Sequence, residues 1–258
     1  MDVRTLVAAV TAAVALATPA SYLQSQQHPD GGWGSPQMTA WSALGLRAAG
    51  ADTGQALGYL VAHEAELQQP TELALAALAE AALGHDPQSL VTRFYAKPAA
   101  VNAAVWELLA LRQSGRPAPR ALVSYVRGAQ ARNGGFPWVR GTAPDSNDTA
   151  AAVQALRAAG VKGKPITRAI AYLRTLQAPA GGFRLVAGRE PDAQSTALAI
   201  QAFVAAGVKP PASAFAFLAR LRRPDGSYRY SRSYATTPVW VTAQVLPALA
   251  RKPFPLRG

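Results

Sequence analysis

The spacing of apolar residues divides the chain into two alternating kinds of segment. Pro165–Gln177 sets Ile166, Ile170, Leu173 and Leu176 on one stripe and leaves Thr167, Arg168, Arg174 and Thr175 elsewhere. That is the pattern of a half-exposed helix, and Pro165 suits its first turn. The next periodic segment, TALAIQAFVAA over Thr196–Ala206, is apolar on nearly every side except Gln201. It predicts a helix buried all round.

This outer-then-inner pair repeats along the sequence. LRAAG occurs at Leu46–Gly50 and at Leu156–Gly160, and FVAAG occupies Phe203–Gly207. Each ends an inner segment with Gly, which tolerates a left-handed helix cap. Thr39-Ala40, Thr149-Ala150 and Thr196-Ala197 stand at one fixed distance before these stops, and Thr242-Ala243 continues the series.

Upstream of each Thr-Ala pair lies a second signature: Tyr22-Leu23, Gln27, Gly31 and Trp33; Tyr125-Val126, Gln130, Gly134 and Phe136; Tyr172-Leu173, Gln177, Gly181 and Phe183. The last copy is Phe217-Leu218, Arg222, Gly226 and Tyr228. Two weaker units, Tyr59-Leu60 to Gly84 and Phe94 to Gly115, lack the Gly-Gly turn.

Six units near 21–50, 51–84, 85–115, 116–160, 161–207 and 208–252 predict an all-α (α/α)6 toroid, a barrel of six inner helices ringed by six outer ones. Ala-rich inner segments allow the close backbone approach a small ring needs. The Gly-Gly turns cross one rim, so all inner helices start there. Their aligned dipoles predict a rim that favours anions or electron-rich ligands. Units four to six carry about ten extra residues each, in rim loops 136–148, 183–195 and 228–241.

Tyr-Leu-x3-Gln-x3-Gly-x-Trp followed by an Ala-rich helix resembles the repeat of squalene-hopene and oxidosqualene cyclases and of protein prenyltransferase β-subunits, over essentially everything after residue 20. The resemblance implies the α/α toroid but not an activity, which has to be argued from the site. The cyclases' Asp-x-Asp-Asp acid has its nearest counterpart in Asp145-Ser146-Asn147-Asp148, with Asn147 where the proton donor would stand. An amide cannot serve as that acid. The prenyltransferases' zinc set needs a Cys, and the complement relatives' thioester does too; this chain has no Cys. Its three His, His28, His63 and His85, fall in different units and read as surface residues, so no metal or other cofactor is expected.

Composition adds little. Half of the 258 residues are hydrophobic and 16% are charged, which excludes a wholly disordered chain. The net charge of +12 comes from 21 Arg beside only 5 Lys. GC-rich coding alone produces that bias, so it names no anionic partner, and nucleic acid is not expected. The uncharged run Leu6–Ala17 behind Arg4 reads as a secretory signal, within residues 1–20, and predicts an extracytoplasmic product. It is short of the roughly 20 residues that span a bilayer.

The three long loops are expected to form one wall. The ligand-binding candidates drawn from it are Trp138, Arg140, Asp148, Tyr230, Tyr234 and Trp240. Asp145, Asp148 and Asp192 are the candidates for chemistry, against the simpler reading that they cap inner helices. The expectation is a protein that binds a hydrophobic, isoprenoid- or lipid-like ligand, or an envelope polymer, without intact cyclase or zinc chemistry. The alternative is a diverged cyclase-like or carboxylate-dependent enzyme at the same rim. The sequence names no oligomeric state.

Overall fold

The computed structural model describes residues 17–94 and 100–256. The expected export segment, up to Leu16, lies outside the described residues. The outer helices are α1 (Pro19–Ser25), α3 (Ala56–Ala62), α5 (Gln88–Val91), α7 (Arg120–Arg127), α9 (Lys164–Thr175) and α11 (Ala212–Leu221). The inner ones are α2 (Pro36–Ala49), α4 (Pro70–Ala82), α6 (Val101–Gln113), α8 (Ser146–Ala158), α10 (Ala193–Ala205) and α12 (Pro238–Leu249). Consecutive inner helices pack on each other, and α12 packs on α2, so the ring is closed. At that seam the backbones touch: a Cβ on Gly45 would lie 2.5 Å from the Ala243 carbonyl oxygen.

The repeat signature encodes the contacts between units. Gly31, Gly134, Gly181 and Gly226 all have positive φ, and a Cβ on each would meet backbone at Gln55, Arg168, Ser213 and Thr18 of the following outer helix or its start. Each turn thus leans on the next unit, and the last leans on the first. The Gln side chain holds the turn: Gln27, Gln130 and Gln177 donate from Nε2 to the carbonyls of Gly31, Gly134 and Gly181 at 2.8–2.9 Å. The repeated Thr ties turn to inner helix. Its hydroxyl accepts from the backbone N–H of Trp33, Phe136, Phe183 or Tyr228 at 2.8–3.0 Å. In α2, α8 and α10 it also donates back to the carbonyl four residues earlier, the back-bonding expected of Thr in a helix.

A further tie is absent from the sequence reading. The Nε of Arg47, Arg112 and Arg157 donates to the carbonyls of Ala82, Ala158 and Ala205 at the end of the next inner helix, at 3.0–3.1 Å. A cation at a helix C-terminus answers both its free carbonyls and its dipole. Part of the Arg excess is therefore structural.

Two of the long loops fold as hairpins: β1 (Phe136–Pro137) pairs antiparallel with β2 (Pro144–Asp145), and β3 (Phe183–Arg184) with β4 (Pro191–Asp192). Loop carbonyls cap the preceding inner helices. Asn102, Ser146 and Ala193 donate their N–H groups to Trp138, Leu185 and Tyr230 at 2.7–3.1 Å. The three loops do form one wall. At α6, α8 and α10 the expectation of an anion-attracting rim is corrected by the same bonds, because carbonyls, Asp145 and Asp192 already take N–H groups that an anion would need.

Candidate functional site

All six inner helices contribute to one cavity of about 280 Å³ on the ring axis, at their N-terminal rim. Each helix supplies residues four apart, which stack on one face. The upper ring is Gln37, Thr71, Asn102, Asn147, Gln194 and Trp240; the lower ring is Trp41, Leu75, Trp106, Ala151, Leu198 and Gln244. In the four strong units these positions fall two residues before and two after the repeated Thr.

The walls are aromatic at depth. Trp41 meets Trp106 edge-on at 5.3 Å between ring centres and Trp240 at 5.9 Å. Beneath them lies Phe254 of the C-terminal segment, 6.2 Å from both Trp41 and Trp106 and 2% exposed. It is held by its N–H to Gln154 Oε1 at 2.8 Å, and Gln113 donates to the Leu256 carbonyl at 3.2 Å. The Pro-rich C-terminus is thus a plug in the axis.

Three polar groups stand out on this wall. Asp148 is 6% exposed and its Oδ1 accepts from Asn102 Nδ2 at 2.6 Å; Asn102 Oδ1 accepts in turn from the Thr71 hydroxyl at 3.1 Å. Burial, then the nearby Asp145 carboxylate, push the Asp148 carboxyl up to about 8 against the pull of the Asn102 amide. Asp148 is therefore mostly a neutral carboxylic acid at pH 7. A side-chain hydrogen bond with Asp145 raises it further. Gln244 is 1% exposed, and its side-chain amide finds no partner among the described residues. Asn147 borders the same space.

Asp145 is a helix cap, its Oδ1 accepting the Asp148 N–H at 2.8 Å. Asp192 caps α10 in the same way, accepting from Ser195 N at 2.7 Å and Ser195 Oγ at 2.8 Å. Burial lifts its carboxyl to about 6 although Ser195 and the Tyr230 hydroxyl donate to it. Asp148 caps nothing: the capping expectation holds for two of the three Asp and fails for the third, which sits one turn in and faces the axis.

Of the remaining candidates, Trp138 stands at the cavity mouth, 53% exposed, and Trp240 lines the cavity itself. Tyr230 and Tyr234 border a neighbouring hollow of about 330 Å³ with Arg189, Glu190 and Asp192. Arg140 borders neither. It lies over the Tyr125 ring at 4.2 Å and donates to the Tyr125 carbonyl at 2.6 Å. Trp41, Trp106, Asn102 and Gln244 were not among the sequence candidates; their signal was the fixed offset from the repeated Thr. No helix among the described residues is long and apolar enough to cross a membrane.

The sequence model of the prenyltransferase alpha-alpha toroid domain matches residues 5–219 and 149–237. No curated protein matches the chain in sequence. Among solved structures, a type II terpene cyclase variant from Scytonema in complex with its substrate, geranylgeranyl dihydroxybenzoate, superposes with a TM-score of 0.70 at 15% identity, over 90% of this chain and 95% of that one. A glycosidase variant in complex with glucose gives 0.67 at 14% identity, over 90% and 94%. An ent-copalyl diphosphate synthase from Streptomyces platensis gives 0.58 at 19% identity, over 84% of this chain but half of the synthase. At such identities the likeness is one of fold.

Proposed function

Since the chain belongs to the prenyltransferase alpha-alpha toroid family, we propose that it is an exported protein that binds a small hydrophobic ligand of the isoprenoid or lipid class, carrying one oxygen function, in the axial cavity. The observation that carries this reading is the neutral Asp148 acid facing a Trp-lined pocket plugged from below by Phe254. Apolar walls with a few convergent polar groups are what a small-ligand site requires. The hydrocarbon lies against Trp41, Trp106 and Trp240. Asp148 and the unpartnered Gln244 amide supply a donor and donor–acceptor pair for the oxygen. At about 280 Å³ the cavity is at the small end of ligand pockets. A longer chain continues out of the mouth along exposed Trp138.

Binding is favoured over cyclisation by acid strength. An acid raised to about 8 gives up its proton less readily than an ordinary carboxyl. Protonating an alkene needs the opposite, and Asn147 stands in place of the motif's acid. The second reading, a carboxylate-dependent enzyme acting on a polymer at the rim, draws on Glu190 and Asp192 beside Tyr230 and Tyr234 in the neighbouring hollow. Both oxygens of Asp192 are engaged by Ser195, which argues for a cap.

Native mass spectrometry with geranylgeraniol tests the binding reading. A one-to-one complex is expected, weakened about tenfold or more by Trp240→Ala, the loss of a core aromatic contact. An unliganded mass at all lipid concentrations overturns it. Any hydrolytic activity that disappears with Asp192→Asn would favour the second reading instead.

A further inference from the structure

Away from the axis, at the C-terminal end of α4, lies a cluster that the cavity does not use. Glu64, Glu80 and His85 each present a ligand-type atom, all within 4.8 Å of one another. Glu64 belongs to the 3-10 turn Glu64–Glu66 that follows α3, Glu80 to the last turn of α4, and His85 to the link into α5.

Glu80 is the unusual member. It is 0% exposed, and neither carboxylate oxygen finds a hydrogen-bond donor among the described residues. Among the described residues no Lys, Arg or His side-chain nitrogen lies within 4 Å of its carboxylate. Its neighbour is a second carboxylate. A buried charge without a partner is expensive, and two carboxylates side by side double the difficulty. Something positive has to sit between them, either a proton or a cation. Burial, then Glu64, already push the Glu80 carboxyl up to about 8, so the proton is the competitor to be displaced.

We infer that Glu64, Glu80 and His85 form a binding site for a divalent transition cation of the zinc class. One imidazole and two carboxylates suit zinc better than magnesium or calcium, which take oxygen alone. Ligand bonds of about 2.0–2.2 Å draw such atoms to roughly 3.5 Å apart. Rotation of the exposed His85 ring closes the set. Glu64 is already held from behind, since the Ser89 hydroxyl donates to its Oε2, the kind of outer contact that orients a ligand. Arg93 fixes the same turn by donating to the carbonyls of Glu64 and Leu67. The exposed His85 leaves a way in from solvent, and one coordination position open to water.

The location gives the cation a purpose. Units two and three lack the Gly-Gly turn, and their outer helices are the four- and seven-residue α5 and α3. A cation bridging the α3–α4 link, α4 and the approach to α5 would stand in for the missing ties. Two carboxylates from the chain's few acids would complete a set around one of the three scattered His.

The test adds ZnCl2 to the EDTA-treated full-length protein. Calorimetry should show one site, and a hundredfold excess over Kd should raise the melting temperature by about 5–10 °C. Glu80→Gln and His85→Ala should each abolish both effects, and His85→Ala, a surface change, should leave the metal-free melting temperature and geranylgeraniol binding as they were. Co2+ bound to the wild type should show the visible absorption of a site with a nitrogen ligand, absent in His85→Ala. No zinc binding by the wild type overturns the site, as does zinc binding by His85→Ala and Glu80→Gln as tight as that of the wild type.

Discussion

Replacing Asp148 by Asn should make the protein more stable in mild alkali while weakening ligand binding. The amide has the shape of the neutral acid: its Oδ1 can still accept from Asn102 and its Nδ2 can donate to the neighbouring Asp145. What changes is the titration. Below about pH 4 the Asp148 carboxyl is neutral in both folded and unfolded chains. From there to about pH 8 the unfolded chain gives up the proton and the folded chain keeps it. Stability therefore falls with rising pH across that window, and the loss is complete above it. Taken at face value, raising the group from 3.8 to about 8 amounts to about 6 kcal/mol as an upper limit. An acid that stays neutral at pH 7 accounts for at least about 4 kcal/mol of this, so we expect about 4–6 kcal/mol, or roughly 10–20 °C in melting temperature. The assay is thermal unfolding by circular dichroism in EDTA from pH 4.5 to 9 for both proteins. Glu80 and Asp192 are raised as well and add to the slope in both, so the difference between the two curves isolates Asp148. That difference should be smallest at pH 4.5, about 1 kcal/mol, grow in favour of Asn, and level off above pH 8. A variant that parallels the wild type at every pH would refute the neutral acid.

Gly45→Ala tests the seam. Alanine ordinarily favours a helix over glycine by about 0.8–1 kcal/mol, but here its methyl meets the Ala243 carbonyl, and overpacking of this kind costs about 1–3 kcal/mol. Urea denaturation should show net destabilisation; a gain would mean the helices do not touch there. Phe254→Ala removes the plug and should cost about 3–5 kcal/mol in the same assay, while a loss under 1 kcal/mol would mean that the C-terminal segment is not packed in the axis.

Much of the architecture was legible because its contacts repeat. Gln and Gly-Gly in three units, and the turn Gly, the aromatic and the Thr in four, recur at fixed spacing since each makes the same contact wherever it occurs. The Arg three residues before the terminal Gly recurs too, at Arg47, Arg112 and Arg157, but its spacing does not say that it reaches the end of the next inner helix. The candidate site was legible in its rim and not in its depth. Trp138 and Trp240 came from long loops and odd residues, whereas Trp41, Trp106, Asn102 and Gln244 lie inside helices, where only the angle from the repeated Thr tells axis from flank. Asp148 looked like a cap because it follows Asp145 closely. Only the three-dimensional position of Asn102, from the preceding inner helix, distinguishes its role. Arg140 misled because an exposed loop cation has as good a partner in Tyr125 behind it as in any ligand ahead.

The contact of Gly226 with Thr18 makes the last unit the neighbour of the first. A linear stack of repeats can shed a terminal member and survive, shielded by specialised ends. A hoop has no ends to specialise. Excising any single stave from this one strips two apolar flanks at once, so partial truncations should collapse outright instead of losing stability by instalments.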